Sequence, residues 1–159
     1  WGDGDSVMIT YDSVVTDSAI GITIDASDNS YVAGRSRANP NNDFIVRKYD
    51  SDGVLTTDWG DADSGMVTYD VGAGNDAVAN GITIDASDNI YVAGYHEISG
   101  ERDFIARKYD SDGVLTTDWG DANSGMVTFD GGNGDDVAWG ITMCGISIST
   151  WAISYPMSR

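Results

Sequence analysis

Cysteine, positive charge and long apolar runs are all scarce in this chain. Its one cysteine, Cys144, has no partner for an internal disulfide. That excludes a disulfide-stapled scaffold without deciding the compartment. Eight basic residues stand against 26 acidic ones, for a net charge of -18. Phosphate recognition needs clustered Lys and Arg, so neither nucleic acid nor an anionic membrane surface is an expected partner. No stretch approaches the ~18 apolar residues of a membrane-spanning helix, and no signal peptide is visible. Histidine is also scarce: His96 stands alone, and a Ser-His-Asp or zinc mechanism needs further His or Cys residues. It is expected on a surface loop. No ten-residue segment carries a helical period.

What the chain has instead is repetition. GITIDASDNSYVAG at 21–34 returns as GITIDASDNIYVAG at 81–94, and DFIVRKYDSDGVLTTDWGD at 43–61 returns as DFIARKYDSDGVLTTDWGD at 103–121. SGMVTYD at 64–70 returns as SGMVTFD at 124–130, and SVMITYD at 6–12 is an earlier relative. Repetition this close points to repeat architecture. Counted from Trp1, the units are 1–58 and 59–118, followed by a partial third at 119–142. The pattern is already under way at Trp1, so the chain reads as a piece of a longer protein.

The third copy breaks after GIT at 140–142. Residues 143–159 form an aberrant tail, in which no turn and no matching strand is expected. A one-base reading-frame slip near Met143 and a divergent cap strand both account for the break.

Within a unit, GMVTYD, GITID, IYVAG and DFIARKY are short and rich in Val, Ile, Thr, Tyr and Phe, the composition of strands. DASDN and DSDG between them carry turn chemistry. Four strands per unit without a helix predict an all-β fold of tandem four-stranded antiparallel blades, an incomplete β-propeller.

The runs NDAVANGITIDASDNIYVAGY and DFIARKYDSDGVL resemble the bacterial SBBP β-propeller repeat, and LTTDWGDADSGMVTYD with its spacing resembles the related delta-sixty repeat. The resemblance covers residues 1 to about 142 and implies a secreted or cell-surface bacterial protein. It specifies no activity, and propellers host enzymes and binding platforms alike.

No cofactor is expected, and calcium is the one candidate the residues offer beside plain turn chemistry. Asp50 and Asp52, with their copies Asp110 and Asp112, place carboxylates two apart on a turn, and Asp25 and Asp28 recur as Asp85 and Asp88. Such pairs can share a hard cation. The pattern stops after DSDG, however, without the EF-hand's closing Glu, and the same residues are ordinary hairpin turns. The glycine-rich runs 71–76 and 131–136 lack the Lys of a phosphate loop. Trp1, Trp59 and Trp119 share one repeat position, where a tryptophan either anchors one unit on the next or stacks on a sugar. Of the repeated pairs Arg47–Lys48 and Arg107–Lys108, one member is expected to meet an acidic turn of the next unit. The many Asp residues nearly all repeat, whereas catalysis needs an asymmetric setting, so no catalytic residue is assigned.

The favoured function is a non-catalytic structural or interaction module. Its partners would be the remaining blades of the full-length protein, and a protein or glycan ligand bound through the variable segments 35–42 and 95–102. Two other readings stay open. One is the propeller portion of an extracellular carbohydrate-active or lyase-type enzyme, with its catalytic residues elsewhere. The other is a calcium-dependent adhesion array.

Overall fold

A computed structural model describes Met8 and residues 16–37, 41–72, 74–132, 134–144 and 147–150. Ten strands are described, with no α-helix among these residues. β1 (Asp17–Ile24), β2 (Ser30–Ser36), β3 (Asp43–Tyr49) and β4 (Met66–Tyr69) form one antiparallel sheet in sequential order. β5 (Ala77–Ile84), β6 (Ile90–Ile98), β7 (Glu101–Tyr109) and β8 (Met126–Phe129) form a second, also in order. The expected all-β architecture of four-stranded antiparallel sheets is therefore present. The sheets take a different phase of the repeat from the units counted from tryptophan, because Trp59 precedes the last strand of the first sheet.

Alternation along each strand decides which residues face the next sheet. Val46 pairs with Ala33 on one side and Val67 on the other, and Phe44 pairs with Tyr69. These residues share a face. Opposite them the second sheet offers Ala79, Ile82, Ile90 and Val92, in the same buried cluster. The core thus lies between two meanders stacked face to face.

Glycine permits the closest approach. A Cβ on Gly21 would lie 3.3 Å from Ile82 Cγ2, and one on Gly81 would lie 2.8 Å from Gly140 Cα. The first strands of successive units therefore nest backbone against backbone at one repeat position.

After Gly140 the third copy starts another sheet. β9 (Ile141–Cys144) packs on β5 and β6 and pairs with β10 (Ser147–Thr150). A strand pair therefore stands where the repeat pattern breaks, with a sequence unlike IDASDNIYVAG. Antiparallel pairing needs only an extended β-prone stretch, and ISIST supplies one without the Asp turn. The proposed break at Met143 falls inside β9, while 151–159 lie outside the described residues.

Candidate functional site

The meander sends its connections to two opposite edges. One edge carries the β1–β2 and β5–β6 turns and the β3–β4 and β7–β8 connections, which are the repeated segments. The other carries the β2–β3 and β6–β7 connections and the passages from one unit to the next, where the two copies differ.

At the repeated edge, backbone satisfaction explains the acidic residues. Asp25 Oδ1 accepts the Ser27 and Asn29 amides at 2.9 Å, and its Oδ2 accepts Asn29 Nδ2 at 2.7 Å and the Tyr31 hydroxyl at 3.1 Å. Asp85 repeats all four bonds with Ser87, Asn89 and Tyr91. Burial alone would raise these two carboxyl pKa values, but the hydrogen bonds outweigh it and hold both below the ordinary value. Asp28 and Asp88 are exposed, at φ 63° and 60°, supplying the left-handed turn position that Asp tolerates. Asp50 Oδ1 accepts the Asp52 and Val54 amides, and Asp110 does the same for Asp112 and Val114. Asp52 and Asp112 are themselves exposed.

The eight calcium candidates thus divide into four turn acceptors and four exposed residues. Among the described residues, no three acidic, histidine or cysteine side chains gather into a metal-sized group. Turn chemistry predicts that millimolar calcium leaves the melting temperature unchanged, as differential scanning calorimetry would read directly. It also predicts that Asp85→Ala costs about 2 kcal/mol in urea unfolding, because it strands Tyr91 and two backbone amides. The low folded pKa values mean that this stability is present above the ordinary carboxylate range and is lost as pH falls through the folded values.

Trp59 joins the units, and Trp1 lies outside the described residues. Trp59 is 2% exposed. It donates its indole N–H to the Ser111 carbonyl at 3.0 Å and meets Tyr31 edge-on at 5.7 Å. Gly60 N–H donates to the Asp112 carbonyl beside it. The anchoring role expected of this position is therefore realised on the DSDG turn of the next unit.

The second basic pair, Arg107–Lys108, behaves differently from expectation. The Arg107 guanidinium lies 3.9 Å from the centre of the Tyr69 ring in the preceding sheet, and Lys108 lies over Tyr91. Arg107 meets an aromatic face rather than an acidic turn, because residue 107 points into the interface beside Ile105 and Tyr109.

The variable edge is continuous across the units. Asp76 accepts the Asn42 backbone and side-chain N–H groups at 2.8 Å each, and its own carbonyl accepts the Glu97 amide. Ser99 N–H reaches Asn75 Oδ1, and Asp136 N–H donates to the Arg102 carbonyl. The segments 41–42, 75–76, 97–102 and 135–136 therefore adjoin.

The segment 95–102 is mostly strand rather than loop. β6 and β7 continue pairing out to Ile98 and Glu101, closed by Ser99 and Gly100 at φ 59° and 87°. Two positive φ values make this a type I′ hairpin turn. Arg102 stacks over Tyr95 at 4.8 Å and pairs with Glu97 at 3.3 Å and Asp135 at 3.7 Å. In the other copy, residues 38–40 of segment 35–42 lie outside the described residues.

His96 is not on a surface loop either. It is 5% exposed, with Nδ1 3.0 Å from the Tyr69 hydroxyl across the interface and Nε2 3.6 Å from Asp103. The ring lies in the contact between the sheets, against the Tyr69 ring, and the equivalent Ser36 is buried as well. Burial pushes its pKa down. Asp103 opposes that shift and Arg107 adds to it, leaving a net lowering. A lowered histidine pKa means the unfolded chain takes the proton first, so stability falls as pH drops below about 6.5. His96→Ser, which restores the residue found at position 36, should flatten that limb of a pH–stability curve.

No protein-family model matches the chain, and no curated protein matches it.

Proposed function

We propose that this chain is a non-catalytic structural and interaction module, part of a β-propeller in a secreted or cell-surface bacterial protein of the SBBP and delta-sixty type. One observation carries the interaction reading: the segments that differ between copies adjoin along one edge, while the repeated segments hold the framework at the other. A rigid scaffold presenting variable segments is the usual design of a binding surface. The unrepeated Tyr95, Glu97 and Arg102 on the β6–β7 hairpin offer an aromatic face and both charges to a protein or glycan ligand. The SBBP and delta-sixty assignment rests on the quoted motifs, and the stacking of successive meanders supports the propeller.

A panel of immobilised glycans and extracellular proteins tests this. The intact chain should bind a member of the panel. A variant whose 97–102 tip is cut back to a minimal Asn-Gly hairpin should lose that binding while still unfolding cooperatively. Undiminished binding by the trimmed variant, or hydrolysis of a panel glycan by the intact chain, would sink the proposal.

A further inference from the structure

One residue at the first strand of each unit differs in every copy. Ala19–Ile20–Gly21–Ile22–Thr23, Ala79–Asn80–Gly81–Ile82–Thr83 and Ala138–Trp139–Gly140–Ile141–Thr142 are identical except at the second position. In both four-stranded sheets that position is a β-bulge. The register of β1 shifts between Ala19 and Gly21, and that of β5 between Ala79 and Gly81. A bulge leaves its extra residue outside the ladder and re-aims the side chain. In the third copy the same position holds Trp139, just ahead of β9.

Asn80 and Trp139 stand side by side, because contacts bracket them on both sides. Asn80 Nδ2 donates to the Ala138 carbonyl at 2.9 Å, one residue before Trp139. A Cβ on Gly81 would lie 2.8 Å from Gly140 Cα, one residue after it. Trp139 differs from Trp59 and Trp119, each of which meets a tyrosine ring. It is 65% exposed, and among the described residues its ring and its N–H have no partner. Asn80 commits Nδ2 to Ala138 and keeps Oδ1 unbonded.

We infer that the Asn80–Trp139 pair is a stacking site for a neutral sugar. The indole offers a flat apolar face to the C–H side of a pyranose ring and an N–H to one hydroxyl, and Asn80 Oδ1 accepts from another. A broad apolar surface with a few placed polar groups is the usual make-up of such a site. Charge selects the ligand class. Segments 18–24, 78–84 and 137–144 hold no acidic or basic residue, and the chain's net charge of -18 repels acidic glycans. The site belongs to different strands from the β6–β7 hairpin and does not rest on that hairpin's ligand.

Isothermal titration calorimetry of the 159-residue chain with cellohexaose, chitohexaose and mannohexaose, and with hexagalacturonate as the acidic counterpart, tests this. At least one neutral probe should bind, and hexagalacturonate should bind at least about tenfold more weakly. Trp139→Ala should weaken the neutral probe at least about tenfold, the scale of losing one aromatic stack, with no change in melting temperature, because the residue is exposed. Asn80→Ile, which installs the residue of position 20, should weaken it about threefold or more. Glu97→Ala with Arg102→Ala strips the hairpin's charges without shortening it and should leave the affinity intact. No heat from any neutral probe at about 10 mM, full binding by Trp139→Ala, or equal binding of hexagalacturonate overturns the inference. So does loss of binding in the hairpin double variant with Trp139→Ala unaffected, which would assign the sugar to the hairpin. Repeating the glycan panel in a Trp139→Ala background lets the two readings fail separately.

Discussion

Alanine in place of Trp59 destabilises the chain by about 3–5 kcal/mol, the range for emptying a large buried aromatic site. The same change at Trp119 costs about 1–2 kcal/mol, in proportion to its smaller buried area. Both tryptophans meet a tyrosine edge-on, Tyr31 in one case and Tyr91 in the other. Only Trp59 also closes on the DSDG turn of a following unit, through the Ser111 carbonyl and against Gly113. Trp119 is half-buried, and its third unit carries no such turn in sequence. Urea unfolding of the two variants checks the difference. Equal losses would mean that the tryptophan stabilises its own sheet rather than the contact between units.

Alanine at Gly94 is the second large effect, at about 3 kcal/mol, the upper end for forcing atoms into packed structure. A Cβ there would press into the Val78 carbonyl, leaving 3.0 Å to its carbon and 3.2 Å to Ala79 Cα. The cause is local: the β5–β6 register shifts between Ala79 and Gly81, which brings the two backbones together opposite Gly94. β1 has the same shift between Ala19 and Gly21, with Gly34 opposite it. Gly34→Ala should therefore cost a similar amount. Gly72→Ala meets no neighbouring atom and costs only the strain of its positive φ, about 1 kcal/mol. Thermal unfolding of the three variants separates close approach from turn strain.

Much of this was legible in the residues. Val, Ile and Tyr at alternate positions between DASDN and DSDG turns specify short antiparallel strands, and both sheets form on them. The repeated tryptophan was readable as an anchor because a residue kept in each copy serves what each copy does. His96 was misread because its neighbours YHEISGER look like loop sequence, and strand pairing that continues past residue 96 to Ile98 leaves little trace in one copy. Arg107 was misread because strand alternation gives two faces without saying which faces the next unit. The adjoining of residues 42, 76, 97 and 136 could not be seen from spacing, since it depends on the second hairpin of each meander and the passages between meanders returning to one edge.

The stacking of the two meanders is tested most directly by placing the same charge at equivalent positions. Ile82→Lys and Ile22→Lys alter one repeat position in nearly identical surroundings of sequence, and chemical unfolding reads the stability of each. Stacking predicts that Ile82→Lys loses about 3 kcal/mol or more by burying an unpaired ammonium between sheets, and that Ile22→Lys changes stability by less than about 0.5 kcal/mol. Equal losses at the two positions would contradict it, because each sheet would then owe its stability to its own strands and not to the unit packed before it.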